Sequence, residues 1–259
     1  MFTACFDASG HEKDQKFVVV AGFISSADDW RKFENQWQER LLGDGISCFH
    51  MSDFAASRGE FKLGWKNNEK HRQELLRDLM EIIRSFTYRR FLCAVEIKVF
   101  LENFSESEKE EYYLGAYALA GMTCAEQVYR WYNMEKISAP LEFVFEDGDS
   151  GKGKLIDSFR EAGLPEPRFC PKRDIETKIG KRVGFAPLQA ADWLAYEVFE
   201  GCKNRSKANY KPRWPLEQFA PIIGYDGIYT VSDLQRLREG LRVCIDTFNW
   251  WEKISGKSS

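Results

Sequence analysis

The order of the apolar segments constrains the fold of this chain most strongly. Two β-strand patterns, Phe2–Phe6 and Phe17–Ile24, open the sequence, and the polar segment Ser9–Lys16 between them predicts a hairpin. Further along the chain, strand patterns alternate with helical ones. An opening hairpin followed by such alternation favours a mixed sheet over an all-parallel Rossmann sheet. We therefore expect an α/β fold in which helices flank a mixed β-sheet.

The later segments predict a series of helices and strands. The first expected helix carries Trp30, Phe33, Trp37 and Leu41 and follows the capping residues Ser25–Asp28. Further helices are expected at Glu69–Phe86, at about Glu106 to Met134, at Leu155–Ala162, from Pro187 onward, and at Val231–Trp251. The expected strands are Ile46–Met51, Phe91–Phe100, Leu141–Glu146 and Phe169–Cys170. The basic segment Lys203–Pro215 predicts a loop. We expect a single domain over residues 1–259, with a C-terminal helical extension over about 216–259.

Charge is distributed unevenly along the 259 residues. The net charge of −3 and the pI near 5.8 argue against a protein that coats nucleic acid with its whole surface. Residues 152–213, however, hold fourteen Lys/Arg against eight Asp/Glu, which is a local net charge of +6. Such a segment suits a phosphate-bearing substrate, although a solvated loop region has the same composition.

Seven cysteines are scattered along the chain without a C-x-x-C pair. This pattern is typical of a reducing cytoplasm and argues against a disulfide scaffold or a zinc knuckle. Cys5, Cys93 and Cys124 stand among apolar residues and are expected to be buried. The sequence opens without a basic leader, and no apolar stretch reaches the length of a membrane-spanning helix. We therefore expect a cytoplasmic protein with no membrane partner.

Three acidic residues, far apart in sequence, stand on otherwise apolar elements. Asp7 follows the first strand, Glu146 ends Leu141–Glu146, and Asp192 lies in the helix opened by Pro187. A carboxylate is costly on a buried element unless its charge is needed there. If the three converge, they offer the hard oxygen ligands that Mg²⁺ or Mn²⁺ prefers, in a site suited to two-metal phosphodiester chemistry. The alternative is that each acid caps a helix or a turn, as Asp-x-Ser-Gly and Asp-Gly-Asp sequences do.

Other polar residues are candidates for the same chemistry. His50 and Asp53, between two phenylalanines, offer a metal ligand or a proton donor; alternatively, His50 hydrogen-bonds Asp53, which caps the following helix. Glu96 interrupts an apolar strand and is expected to face solvent. The segment 149–154, Asp-Ser-Gly-Lys-Gly-Lys, can contact a phosphate but lacks the full spacing of a nucleotide-binding loop.

Five short motifs occur together in this chain. They are Phe6-Asp7-Ala8-Ser9-Gly10, Ala21-Gly22-Phe23-Ile24, Phe49-His50-Met51-Ser52-Asp53-Phe54, Phe145-Glu146-Asp147-Gly148 and Leu188-Gln189-Ala190-Ala191-Asp192-Trp193-Leu194-Ala195-Tyr196-Glu197. In combination they resemble the domain-of-unknown-function 3800 family (DUF3800). The resemblance spans Phe2 to about Tyr196, and its most specific parts are the opening Asp-x-Ser-Gly and the closing Leu-Gln-Ala-Ala-Asp.

This resemblance implies a ribonuclease H-like fold, in which a mixed five-stranded sheet carries acids for two-metal phosphodiester chemistry. It implies that Asp7 lies on the first strand, Glu146 at the end of the fourth, and Asp192 on the last helix. Glu146 stands where the family often has Asp, and it adds one methylene of reach.

The chain departs from the family pattern at two further positions. Ala8 stands where Glu is common, and Cys48 stands where many members have an acid. A fourth metal ligand would then be drawn, in order of preference, from His50, Asp53, Glu96 and Asp147.

The leading hypothesis is a metal-dependent nuclease, or another phosphodiester-processing hydrolase, that uses Mg²⁺ or Mn²⁺. In this hypothesis Asp7 bridges two ions, Glu146 and Asp192 each hold one, Asp53 is a further ligand, and His50 handles the water or the leaving group. Nucleic acid is the expected partner. Its phosphate backbone would be steered by Lys152, Lys154, Lys181 and Arg182, so activity should fall with added salt. Two alternatives stay open: a catalytically silent module of the same fold that binds nucleic acid or protein, and a hydrolase of small phosphate esters.

Overall fold

A six-stranded mixed β-sheet forms the centre of the computed structural model, which describes residues 1–11, 16–112, 114–177 and 180–242. In spatial order its strands are β5 (Arg168–Cys170), β4 (Leu141–Glu146), β1 (Phe2–Ser9), β2 (Phe17–Ser26), β3 (Arg89–Glu96) and β8 (Gly224–Tyr229). A separate two-stranded ribbon contains β6 (Ile175–Thr177) and β7 (Gly180–Arg182). The strands β1, β2 and β3 form an antiparallel meander, whereas β4 is parallel to β1, β5 to β4, and β8 to β3. The expected opening hairpin and the mixed sheet are thus confirmed.

Helices cover both faces of the sheet. They are α1 (Ala27–Gly43), α2 (Met51–Ala56), α3 (Glu69–Phe86), α4 (Ile97–Asn103), α5 (Glu106–Glu111), α6 (Ala116–Met134), α7 (Lys152–Glu161), α8 (Pro187–Asn204) and α9 (Trp214–Phe219), with further helical residues at 231–242. Within the described ranges, no helix is both long and apolar enough to cross a bilayer.

The core consists of two apolar layers, one on each face of the sheet. Successive side chains of a strand point to opposite faces, so Cys5 packs in the layer of α1, α3 and α8, whereas Ala4 and Phe6 pack in the layer of α6 and α7. The same alternation places Asp7, two residues after Cys5, on the α8 side of the sheet. This geometry is the first step in assembling the site described below.

Several helices begin and end where the sequence predicts. Ser26 caps α1, its hydroxyl accepting a hydrogen bond from the amide of Asp29. The predicted range Glu69–Phe86 is that of α3, and Pro187 occupies the first turn of α8. The loop predicted at Lys203–Pro215 is present at residues 205–213, between α8 and α9.

Three predictions of local structure are wrong. The strand predicted over Phe91–Phe100 ends at Glu96, because its partner strand begins at Phe17, opposite Glu96, and the chain continues as α4. The strand predicted at Ile46–Met51 is not formed; the backbone amides of Phe49 and Met51 bond to side chains of α8 instead of to a neighbouring strand. The long helix expected from Glu106 is interrupted between α5 and α6, where Gly115 is extended.

The C-terminal region differs from the expected helical extension. Residues 224–229 form β8, an additional strand beside β3, so a wholly helical segment from 216 onward is wrong. The helix predicted at Val231–Trp251 is present over residues 231–242, and its remainder lies outside the described residues. The sheet therefore has six strands, where the family resemblance implies five.

Candidate metal centre

The site lies where the carboxyl ends of three parallel strands meet at one edge of the sheet. Phe6 of β1 is opposite Phe145 of β4, and Glu146 is opposite Cys170 of β5. Asp7 and Glu146, the next residue on each strand, are therefore neighbours. Lys172 comes two residues after Cys170. Because side chains alternate between the faces of a sheet, this spacing favours placement of all three groups on the face covered by α8.

The helix α8 carries Asp192 against this edge. Ala190 and Ala191 precede it and are fully buried, and their small side chains allow the helix to lie close to the sheet. Gln189 anchors the same turn: its side-chain oxygen accepts hydrogen bonds from the indole of Trp37 (2.9 Å) and the amide of Phe49 (2.8 Å). The Leu-Gln-Ala-Ala-Asp motif thus combines close packing with positioning of Asp192.

Lys172 lies between two of the predicted acids. Its Nζ donates hydrogen bonds to Asp7 Oδ2 at 2.6 Å and to Asp192 Oδ1 at 2.7 Å. The other oxygens of the two carboxylates accept backbone amides, Asp7 Oδ1 from Ala8 (2.7 Å) and Asp192 Oδ2 from Met51 (2.7 Å). Only 3% of the Asp7 side chain, 7% of the Asp192 side chain and 16% of the Lys172 side chain are exposed.

A second group of acids adjoins Asp7. One carboxylate oxygen each of Asp7, Glu146 and Asp149 lies within 4.8 Å of the others, a spacing that allows the three to hold one metal ion. Gly148 makes room for this arrangement, since a Cβ at its position would lie 2.8 Å from Glu146 Oε2. Asp7 therefore belongs both to this acidic triad and to the lysine-bridged pair with Asp192.

The electrostatics of the site favour a bound cation. Burial raises the pKa of Asp7, although Lys172 opposes the shift. Burial likewise raises the pKa of Glu146, and it raises the pKa of Asp149 to about 6 with a contribution from the Glu146 charge. Burial by itself would lower the pKa of Lys172, but the carboxylates of Asp7 and Asp192 raise it above its usual range. The four acids of the site outnumber the ammonium of Lys172, so the negative charge of their ionised forms is only partly neutralised.

His50 and Asp53 lie at the margin of this cluster. His50 Nδ1 is 3.1 Å from Asp53 Oδ2, so the predicted pairing of the two residues is present. His50 Nε2 is 3.4 Å from Asp192 Oδ1, which places the imidazole beside the lysine-bridged pair. The idea that Asp53 caps the next helix is wrong, because Asp53 lies inside α2 and Asn68 caps α3.

The remaining candidate ligands are engaged elsewhere. Asp147 pairs with Lys152 (2.9 Å) and Arg182 (2.6 Å), and these cations hold its pKa below the usual range. Glu96 ends β3 and lies 3.8 Å from Lys16, in a partly exposed ion pair.

The four predicted substrate-binding cations also have carboxylate partners. Lys152 and Arg182 share Asp147, next to Glu146 in sequence. Lys154 pairs with Glu110 at 3.0 Å, and Lys181 pairs with Asp174 at 2.6 Å. Lys152 and Arg182 are thus linked to the end of β4 through Asp147, and Lys154 lines a pocket together with Asp149.

A cavity of about 440 Å³ opens onto the site. It is lined by residues of the 48–61 segment, by the end of β4, and by the segment that follows β5; its polar lining includes His50, Asp53, Glu146, Lys172 and Arg173. Carboxylates, an imidazole and cations thus face one open space of small-molecule size.

Two residues of this site are not predicted as ligands or partners from the sequence. Asp149 is the second acid of an Asp-Gly-Asp turn, and that turn is the signal that points to it. Lys172 stands in a polar loop with no motif, and only the pairing of β5 with β4 brings it to the acids.

Comparisons with protein-family models, with curated proteins and with solved structures give no match to this chain. The residues that carry the family resemblance nevertheless meet in space, because Asp7 adjoins Glu146 and shares Lys172 with Asp192. The chemistry of these groups is therefore the basis for assigning a function.

Proposed function

We propose that this protein is a metal-dependent phosphodiester hydrolase of the nuclease type, with a ribonuclease H-like fold and a DUF3800-type site. The observation that carries the proposal is the acidic triad of Asp7, Glu146 and Asp149, whose carboxylate oxygens lie within 4.8 Å of one another at the edge of the sheet. Asp192 adjoins this triad through the shared ammonium of Lys172.

The fold supports the proposal in its strand arrangement. Five of the six strands, all except β8, form a mixed sheet in which the first and fourth strands are parallel neighbours. Asp7 and Glu146 stand on these two strands, and Asp192 stands on α8, which packs against β1 and β2. The strand positions of Asp7 and Glu146 agree with the family resemblance, whereas α8 is not the last helix, because α9 and the helical residues 231–242 follow it.

The donor set fits a hard divalent cation. Carboxylate oxygens are the ligands that Mg²⁺ and Mn²⁺ prefer, and burial raises the pKa of Asp7, Glu146 and Asp149, so a cation would favour their ionised forms. These three residues would hold the ion. When bound, Mg²⁺ or Mn²⁺ polarises a phosphoryl oxygen and lowers the pKa of a water molecule.

The chain itself supplies proton handling and substrate charge. His50 is held by Asp53 at Nδ1 and presents Nε2 toward Asp192, a position from which the ring takes up or returns a proton. Lys172 and Arg173 line the cavity and provide positive charge for a phosphate group. Lys152 and Arg182 both pair with Asp147, which lines the same cavity, and they add positive charge beside it.

A cleavage assay tests the proposal. The native chain is incubated with labelled RNA, DNA and an RNA–DNA hybrid in Mn²⁺ and in Mg²⁺, and products are separated on a gel. We expect cleavage of at least one nucleic acid, which chelation abolishes. Asp7→Asn should reduce the rate at least about a hundredfold, because an amide cannot replace a shared carboxylate ligand.

Matched controls separate this outcome from general damage. Asp28→Asn removes an exposed acid of α1 that pairs with Arg31, and it should cleave at the native rate. Cleavage that persists in Asp7→Asn, or a native chain that cuts none of the three nucleic acids, would refute the proposal. Binding without cleavage would point to the silent module, and turnover of mononucleotides alone would point to a small phosphate-ester hydrolase.

A further inference from the structure

We propose that the ammonium of Lys172 takes the place of a second metal ion, so that this site binds one divalent cation per chain. The number of bound ions can be measured whether or not the protein cleaves a substrate. The role of Lys172 toward a substrate phosphate rests on the proposed function. The two-metal arrangement implied by the family resemblance is replaced by one metal and one fixed lysine.

The contacts of Lys172 are those expected of a bridging cation. Its Nζ is 2.6 Å from Asp7 Oδ2 and 2.7 Å from Asp192 Oδ1, so one positive charge joins two carboxylates that come from different elements. Charge-assisted hydrogen bonds of this length are among the stronger polar contacts in proteins. A second metal bridging Asp7 and Asp192 would have to occupy the same space as this ammonium.

The backbone around Lys172 fixes the side chain in this position. The carbonyl of Lys172 accepts a hydrogen bond from Gln189 Nε2 at 2.9 Å, and the carbonyl of Pro171 accepts one from the amide of Phe185 at 2.8 Å. The residue therefore extends from an anchored segment into a buried pair, unlike the exposed lysines of the surface. Displacing it would leave two buried carboxylates facing each other.

The net charge of the site leaves room for a divalent cation in addition to the lysine. Asp7, Glu146, Asp149 and Asp192 contribute four negative charges when ionised, and Lys172 reduces the sum to −3. One divalent ion brings the sum to −1 and two bring it to +1, so the geometry of the donors, and not the net charge, decides the number of ions. Asp147 does not alter this balance, because Lys152 and Arg182 already pair with it.

The geometry also divides the acids into two sets. The triad of Asp7, Glu146 and Asp149 brings three carboxylate oxygens together and is the place for the ion. The pair of Asp7 and Asp192 is filled by the lysine. In the proposed hydrolase, Lys172 would stabilise negative charge on the phosphate from a fixed position, next to the cation held by the triad.

Counting bound Mn²⁺ tests the inference without reference to activity. The full chain is titrated with Mn²⁺ by calorimetry, and free Mn²⁺ is counted independently by electron paramagnetic resonance. We expect one ion per native chain. Lys172→Met removes the ammonium while keeping a side chain of similar length, and it should bind two ions, the first at least tenfold more tightly than in the native chain.

Two further variants serve as controls. Lys172→Arg keeps the positive charge and should bind one ion. Lys203→Met removes a lysine that pairs with Glu200 on the surface of α8, and it should also bind one ion. Two ions in the native chain, none in the native chain, or one ion in a folded Lys172→Met would each overturn the inference.

The outcomes remain distinct from those of the cleavage assay. If Lys172→Met does not fold, the native count decides, since one ion supports the inference and two refute it. A native chain that binds one Mn²⁺ but cuts no nucleic acid would refute the proposed function and leave the ion count standing.

Discussion

Glu197 offers a quantitative prediction about stability and pH. It lies in α8, its residue surface is 1% exposed, and among the described residues neither carboxylate oxygen has a hydrogen bond of regular geometry, although the Trp193 side chain lies close enough to lower its pKa slightly. The nearest opposite charge is Arg213, whose Nη1 is 3.5 Å from Oε2 and whose side chain is 43% exposed. Burial raises the pKa of Glu197 from its ordinary 4.5 to about 7, and Arg213 only partly opposes the shift.

The direction of the effect follows from which state binds the proton more tightly. The folded chain retains the proton of Glu197 up to about pH 7, whereas the unfolded chain loses it near pH 4.5. The contribution of this group to stability is thus complete below pH 4.5 and is lost as the pH rises through 7. At 1.36 kcal/mol per pKa unit, the ionised carboxylate lowers the free energy of unfolding by about 3 kcal/mol at pH 8.

The variant Glu197→Gln should remove this loss, because an amide of nearly the same shape does not ionise. Urea unfolding of the native and variant chains at pH 5, 6, 7 and 8 gives the free energy of unfolding at each pH. The stability of the variant relative to the native chain should increase by about 2 to 3 kcal/mol between pH 5 and pH 8.

Glu39→Gln, an exposed acid of α1, is the matched control and should show no such increase. Comparing each variant with the native chain at the same pH removes the titration of the metal-site acids. If the difference between Glu197→Gln and the native chain is independent of pH, the reasoning about burial is refuted.

Two further predictions concern the metal and the sheet. Apparent Mn²⁺ affinity, measured by calorimetry, should increase as the pH rises from 5 to 7, by at most about tenfold per pH unit for each proton displaced. Burial raises the pKa of Asp7 and brings that of Asp149 to about 6, so protons compete with the ion below these values. An affinity independent of pH would contradict this expectation. Gly22→Ala should destabilise the chain by about 3 kcal/mol in urea unfolding, since the added Cβ would lie 1.8 Å from the carbonyl oxygen of Cys5 in the neighbouring strand. Gly43→Ala, with no atom within 4 Å of the added Cβ, should be close to neutral, and equal losses in the two variants would refute the steric argument.

Local sequence determined most of the elements that build the fold. The apolar strand patterns and the cap at Ser26 act through neighbouring residues, so they predict β1, β2 and the start of α1. The strand predicted to reach Phe100 failed because a strand extends only as far as its partner, and β2 begins opposite Glu96. Partner length is a tertiary property, and no local pattern encodes it.

Three of the four acids of the site are predicted from the sequence, because a carboxylate on an apolar element needs a reason to be there. That argument identified Asp7, Glu146 and Asp192, and the fold then brought Asp7 beside Glu146 and joined it to Asp192. It could not identify Lys172, because a lysine in a polar loop is ordinary until its surroundings are known. The sequence by itself determined which carboxylates stand on buried elements. The pairing of β5 with β4 and the packing of α8 decided that Lys172 is the cation that contacts them, because an ion pair depends on distance in space.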